Sequence, residues 1–222
     1  MFDFLDMDKL LGAFWVTVQL TVYSALGSLI WGTLLAGMRV SPVPLMRGFG
    51  ATYVNVVRNI PLTVIILFTS LGLFQTLAVT LGAAEDFDLL NFRLAVLGLI
   101  AYTAAFVCEA LRSGINTVPV GQAEAARALG LSFTQVLRLI ILPQAFRSVV
   151  NPLANVLIAL TKNTTVASVI GVGEAALLMK KWIEDYAALL PIVTIFALGF
   201  ICLTLPTGLI LGWVSKKVAV KR

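Results

Sequence analysis

The sequence predicts an all-α membrane protein with five transmembrane helices, its N-terminus outside the cell and its C-terminus inside. Hydrophobic residues make up 59% of the 222 residues and charged residues only 12%, whereas a soluble domain carries about 25% charge. Two uncharged runs, Leu10–Met38 and Tyr186–Ser215, exceed the roughly 20 residues that a helix needs to cross the hydrocarbon core. No linker, repeat or low-complexity stretch divides the chain, so residues 1–222 are predicted to form a single transmembrane domain.

The five predicted spans differ in how clearly their ends are marked. In chain order they are Leu10–Met38, Asn59–Ala84, Leu94–Cys108, Val136–Thr161 and Tyr186–Ser215. The first would be about 43 Å long as a helix, so we expect it to tilt or protrude. Pro61 interrupts the second span early, and Pro143 and Pro152 break the fourth. The third is long enough only if Glu109–Arg112 lie at the interface, and Met38–Gly50 is predicted to be a tight inner turn.

The distribution of charge predicts the orientation, because loops rich in lysine and arginine stay inside the cell. With the N-terminus outside, the inner segments contain most of the arginines, among them Arg39, Arg127 and Arg138, and few acids. The outer segments contain most of the acids, including Glu174. This asymmetry places the loop around Glu124 in the cytoplasm, and it accounts for the net charge of +5 without a nucleic-acid partner.

The residue inventory excludes several kinds of site. Histidine is absent, and the two cysteines, Cys108 and Cys202, lie in apolar runs. We therefore predict neither a histidine-based acid–base pair, nor a metal site, nor a disulfide scaffold. The phosphate-binding pattern G-x-x-x-x-G-K-[ST] does not occur, so the chain is not expected to be an ATPase. We interpret the protein as a transport subunit with no catalytic residue and no cofactor of its own.

A polar stretch between the third and fourth spans departs from this lipid-adapted pattern. Glu124 lies near the N-terminal half of a short predicted helix, where its charge suits the helix dipole, and its alanine neighbours leave that helix with little bulk. Gly130 fits a left-handed helix stop, and Ser132 with the glutamine three residues later matches a capping box for the next helix. From these residues alone, the stretch is either a connecting loop or a surface to which another protein binds.

The stretch resembles the EAA loop of bacterial ABC importer permeases, in which Glu-Ala-Ala is followed at fixed spacing by Gly and then by Leu-Pro. The matching residues are Glu124, Ala125, Ala126, Gly130, Leu142 and Pro143, within a loop of about residues 118–143. Three further stretches, Val56–Leu73, Ala101–Asn116 and Ala159–Glu174, resemble the polar-amino-acid branch of this family. The sequences of these stretches are most similar to those of the glutamate-uptake permeases of actinobacteria. The resemblance covers about residues 10–214.

The resemblance implies a MetI-like fold and a division of labour between subunits. The EAA helix would dock as a coupling helix on a separate ABC ATPase dimer, which would bind ATP and Mg²⁺ and rock the permease between inward- and outward-open states. A second permease subunit, an extracytoplasmic substrate-binding protein and a multi-pass position in the bacterial plasma membrane are also implied. The implied substrate is an amino acid, glutamate or another acidic one. An ATP-independent secondary transporter or channel stays open as the alternative, although the first and last spans contain no carboxylate.

Polar residues at the end of the fourth span are candidates for the substrate path. Lys162, Asn163, Thr164 and Thr165 follow one another there. They could line a path or gate for an amino-acid carboxylate, above all if a helix N-terminus opens near Thr164 or Thr165. The alternative is a lysine that reaches the outer interface beside threonines that cap a helix.

Three charged residues near the inner ends of spans also have two interpretations each. Arg58 opens the second span, either as an interfacial arginine or as a gate or partner contact at the inner mouth. Glu109 and Arg112 are three residues apart, a spacing that favours a local ion pair on a helix. The second interpretation of this pair is a latch on the EAA loop.

Overall fold

The computed structural model describes residues 5–218, and every regular element within them is a helix. The helices are α1 Met7–Val40, α2 Pro44–Arg58, α3 Leu62–Thr76, α4 Phe87–Ile115, α5 Val120–Ala128, α6 Phe133–Ile170, α7 Ala175–Tyr186 and α8 Leu189–Val218. Four of them, α1, α4, α6 and α8, are long and apolar enough to cross a membrane. Helices α2 and α3 meet the same test only as a pair, bent by 105°. The predicted all-α membrane class is therefore confirmed, with a fifth span if the bent pair counts as one.

Helix α4 lies at the centre of the bundle and packs against α1, α2, α3 and α6. Its approach to α1 is close because of Gly32, where an added Cβ would lie 2.6 Å from Val107 Cβ and 2.8 Å from the carbonyl oxygen of Ala104. Small residues permit such approaches between membrane helices. Since Gly27 lies against Ile100 and Gly32 against Val107, α1 and α4 run parallel, as the first and third spans of an alternating topology must.

The first connection is shorter than the sequence predicts. The predicted turn Met38–Gly50 is wrong, because α1 continues to Val40 and α2 begins at Pro44. Proline is tolerated in the first turn of a helix, where its missing N–H leaves no hydrogen bond unmade. The turn itself is therefore only residues 41–43.

The second predicted span, Asn59–Ala84, is also placed too late in the chain. Apolar sequence already forms α2, and the chain then breaks at residues 59–61. Pro61 is the reason, since a proline disfavours helical backbone at the residue before it. Helix α3 continues as a π-helix from Phe68 and ends at Thr76.

Helices α4 and α6 are longer than the apolar runs that predicted them. Helix α4 extends past both ends of Leu94–Cys108, so it is long enough to cross a membrane although the predicted span was short. Helix α6 contains a π-helical stretch at Leu137–Ile141, continues through Pro152 to Asn163, and ends as a 3₁₀-helix over Thr164–Ile170.

The end of the bundle opposite α5 is closed by α7. Helix α7 packs against α1 and α8 through an apolar cluster that includes Leu10, Trp182 and Phe196. The rings of Trp182 and Phe196 lie edge to face with centroids 5.5 Å apart, an arrangement that aromatic pairs favour. This cluster fixes the start of α1 against the start of α8.

Candidate functional site: an exposed helix and a polar cavity

Helix α5 ends in a well-defined cap, as the sequence predicts. Gly130 has φ +87°, so it occupies the left-handed region that favours glycine. The N–H of Gly130 donates to the carbonyl of Arg127 at 2.9 Å, and the N–H of Leu131 donates to that of Ala126 at 3.2 Å. These two bonds form a Schellman motif, which satisfies carbonyls that would otherwise be unpaired. The predicted capping box is also present, since Ser132 and Gln135 bond reciprocally at the start of α6.

The surface of α5 projects from the bundle with its small residues accessible. Glu124 and Ala125 are exposed, whereas Ala126 is buried against the protein. Leu129, just past the end of α5, is 83% exposed. The exposed residues of α5 have small side chains apart from Glu124, Gln122 and Arg127, so a second protein can approach the backbone of this helix closely.

Side-chain hydrogen bonds tether this exposed helix to α6. The amide nitrogen of Gln144 donates to the amide oxygen of Gln122 at 2.7 Å, and the hydroxyls of Thr117 and Ser148 lie 2.9 Å apart. Ile141 and Ala123 line one groove between α5 and the start of α6. The loop and the first turns of α6 are therefore joined at several points.

The last two residues of the EAA pattern lie at this junction. Leu142 follows the π-helical stretch and is 45% exposed, and Pro143 occupies the first turn of the α-helical part of α6. Both immediately precede Gln144, which bonds to α5. The structure thus brings the two halves of the pattern, which are separated in sequence, onto one surface region.

A second feature is a cavity of about 390 Å³ between α4 and α6, called the polar cavity because its mainly apolar wall contains two asparagine side chains. It is lined by Tyr102, Thr103, Phe106, Asn155, Val156, Ala159 and Asn163. The Oγ1 atom of Thr103 is buried and has no hydrogen-bond partner in the described structure. Buried hydroxyls are normally bonded, so this unpaired hydroxyl is a local departure from the usual packing beside the cavity. None of the lining residues carries a charge.

The four residues predicted for the substrate path have different surroundings. Asn163 lines the cavity, whereas Lys162 is exposed. The hydroxyls of Thr164 and Thr165 donate to the backbone carbonyls of Thr161 and Lys162, at 2.7 and 2.8 Å. The helix N-terminus near Thr164 or Thr165 that would favour a carboxylate is not formed, because α6 continues through this point to Ile170.

Arg58 belongs to an ion cluster beside this cavity. Glu109 forms an ion pair with Arg39, and the Nη1 atom of Arg58 lies 3.7 Å from the other carboxylate oxygen. The guanidinium of Arg58 also lies 5.6 Å from the centroid of the Phe106 ring. The predicted local pair of Glu109 with Arg112 is wrong: the carboxylate faces α1 and α2 instead. Sequence spacing gave no signal for this cluster, since 70 residues separate Arg39 from Glu109.

Glu174 was counted among outer charges in the sequence, yet its side chain is fully buried. It caps α7 by accepting hydrogen bonds from the backbone N–H groups of Ala176 at 2.8 Å and Leu177 at 2.9 Å. Burial raises the pKa of Glu174 to about 7, and these two hydrogen bonds oppose that rise only in part. The hydroxyl of Thr17 accepts the N–H of Ala175 at 3.2 Å, so the same cap joins α7 to α1.

Comparison with known proteins identifies what the chain is similar to. Residues 28–220 match the family described as "Binding-protein-dependent transport system inner membrane component". The glutamate transport system permease protein GluC of Corynebacterium efficiens is 62% identical over 218 residues, covering 96% of each chain. A crystal structure of an amino acid ABC transporter with histidines has a TM-score of 0.83 at 26% identity, covering 95% of this chain and 94% of that one. The inward-facing MetNI methionine ABC transporter has a TM-score of 0.77 at 20% identity, covering 96% and 98%, which shows the same fold.

Proposed function

Because the chain belongs to the family of binding-protein-dependent transport system inner membrane components, we propose that α5 is the helix through which a separate ATPase drives it. The chain is a membrane-spanning permease subunit of an ATP-driven amino-acid importer in the bacterial plasma membrane, with a MetI-like fold. Its relatives are permeases, so it is a transport subunit and not an enzyme. The importer also contains an ATPase and a substrate-binding protein, as membership of this family implies.

The observation that carries the coupling role is the exposed helix tethered to a span. Glu124, Ala125 and Leu129 are accessible at the tip, and the Gln122–Gln144 hydrogen bond joins the same helix to α6. A helix with small side chains allows a partner surface to approach its backbone, while the tether passes any displacement to α6. We assign Ala126, Gly130, Leu142 and Pro143 to the support of this surface, and Glu124 to the contact itself.

The proposed substrate is glutamate, since the 62% identity to a glutamate permease extends over 96% of both chains. We place the substrate path at the polar cavity, with Asn163 on its wall and Arg58 beside the ring of Phe106, which is one of the lining residues. Lys162, Thr164 and Thr165 stay predictions for the same path. In this proposal a second permease subunit, identical or different, completes the path, and ATP and Mg²⁺ bind only to the ATPase chains. The α5 end of the bundle faces the cytoplasm.

The test replaces the exposed carboxylate in the complete complex. Glu124→Lys is expected to abolish both co-purification of the ATPase and ATP-dependent uptake of labelled glutamate into proteoliposomes, because it reverses the charge at the proposed contact. Glu184→Lys is the matched control, since Glu184 is an exposed carboxylate on α7 at the opposite end of the bundle. A Glu124→Lys complex that keeps its ATPase and its uptake would overturn the coupling role.

A further inference from the structure

We propose that Arg58 selects the charge of the amino acid that enters the polar cavity, by supplying the unbalanced positive charge that an acidic substrate requires. This inference rests on the proposed function, because it assigns specificity within the same permease path. The proposed function names the class of substrate. The inference adds which residue recognises the side-chain carboxylate of an acidic amino acid.

The ion cluster contains two guanidinium groups and one carboxylate. Arg39 holds one oxygen of Glu109 in a close ion pair, and only 10% of the Arg39 side chain is exposed. Arg58 reaches the other oxygen at 3.7 Å, and 45% of its side chain is exposed. An exposed pair at this separation contributes little energy, so Arg39 satisfies Glu109 while Arg58 is held weakly. The cluster therefore carries a surplus positive charge at Arg58.

The position of Arg58 connects this surplus to the cavity. Its guanidinium lies 5.6 Å from the centroid of the Phe106 ring, and Phe106 is one of the residues that line the cavity. A cation beside an aromatic face is held by the ring quadrupole and keeps its donors available. Because Arg39 already pairs with Glu109, Arg58 lacks a strong partner, and an incoming carboxylate can accept a charge-assisted hydrogen bond from its guanidinium.

The rest of the cavity offers hydrogen bonds but no charge. Asn155 and Asn163 line the cavity and provide amide donors and acceptors. Such groups suit the ammonium and α-carboxylate that all amino acids share, and they do not distinguish glutamate from glutamine. A basic amino acid would find no carboxylate among the lining residues and would meet the surplus charge of Arg58. The combination therefore favours a net anionic amino acid.

The experiment measures binding of labelled glutamate and of its neutral isostere glutamine to the permease–ATPase complex in lipid nanodiscs. Arg58→Gln is expected to weaken glutamate binding at least about tenfold, the loss expected for one charge-assisted hydrogen bond, and to leave glutamine binding within about twofold. Arg58→Lys keeps the charge and is expected to restore most of the preference. Arg47→Gln is the matched control, because Arg47 is an exposed arginine on the same helix with no ion pair among the described residues.

Two results would overturn the inference. One is an equal change in glutamate and glutamine binding on Arg58→Gln, and the other is a wild-type complex that binds neither amino acid. Uptake by the wild-type importer with its binding protein separates the two proposals. Glutamate uptake without selective loss at Arg58 removes only the role of Arg58, whereas absence of ATP-driven glutamate uptake removes the proposed function as well.

Discussion

Arg39 near the end of α1 forms an ion pair with Glu109 on α4, and this contact joins helices whose residues are 70 positions apart. The pair lies at the end of the bundle from which α5 projects, between one and two turns before α4 ends. Helix α2 contributes Arg58 to the same carboxylate. One acidic side chain thus forms a close ion pair with α1 and a weaker contact with α2.

Removal of this carboxylate should destabilise the subunit. Glu109→Met leaves the Arg39 guanidinium, which is 10% exposed, without its partner, and we expect a loss of about 2 kcal/mol in the free energy of unfolding. Thermal unfolding in detergent measures the effect. The double variant Arg39→Met/Glu109→Met should lose less than the sum of the two single variants, because no unpaired charge is left behind. Strict additivity of the three variants would show that the pair contributes nothing.

The contact between α1 and α4 should not accept a larger residue at Gly32. Gly32→Ala places a Cβ 2.6 Å from Val107 Cβ, and either helix must shift to relieve that overlap. We expect a cost of about 1–3 kcal/mol, as for other overpacked cores. Gly37→Ala on the same helix meets no atom within 4 Å, and it should be neutral or slightly stabilising, since alanine is the better helix former. Comparing the melting temperatures of the two variants with that of the wild type checks both predicted changes in stability.

Glu174 should make stability depend on pH between about 4.5 and 7. Its pKa in the folded protein is raised to about 7 from an ordinary value of 4.5, so the folded state binds more protons than the unfolded state in this interval. The contribution of Glu174 to stability is therefore fully present below pH 4.5, where both states are protonated, and is lost as the pH rises through 7. Glu174→Gln should flatten this dependence in urea unfolding measured from pH 5 to 8. Glu184→Gln, which changes an exposed carboxylate on the same helix, should leave the slope as in the wild type.

The helix stop after α5 should be needed for the coupling role. Gly130→Ala forces a side chain into a backbone with φ +87°, at a cost of about 1–2 kcal/mol, and we expect the end of α5 to rearrange. Uptake driven by ATP should fall severalfold while the purified permease remains folded. Gly12→Ala adds the same methyl group near the start of α1, at the opposite end of the bundle, where no atom lies within 4 Å, and uptake by this control should be unchanged. Equal uptake by both variants would argue against a role for the cap.

The sequence predicted best where the signal was local. The stop at Gly130 and the capping box at Ser132 need only neighbouring residues, and both are present. Span ends were less accurate, because Pro44 can start a helix as readily as it can end one. The Arg39–Glu109 ion pair could not be predicted from the sequence, since it depends on which faces of two helices distant in sequence pack together.

Burial was the other quantity that sequence could not supply. Glu174 looked like one more outer acid, and only the fold shows its carboxylate enclosed and bonded to two backbone N–H groups. The sequence predicted only some of the residues that line the cavity. Asn163 belonged to the predicted substrate path, whereas Asn155 and Thr103 lay within runs that were interpreted only as membrane spans. Which face of a helix lines a cavity depends on the helices packed around it, and the sequence alone does not show that packing.

Helix α6 is a single stretch of 38 residues, about 57 Å from end to end, and it carries both Gln144 and Asn163. If the ATPase acts on α5 as proposed, a displacement that reaches α6 at Gln144 is passed to Asn163 along one continuous helix. Pro152 interrupts the hydrogen-bond ladder between these two residues. The proposal therefore makes the bend of α6 at Pro152 the quantity that relates movement of the loop to movement of the cavity wall.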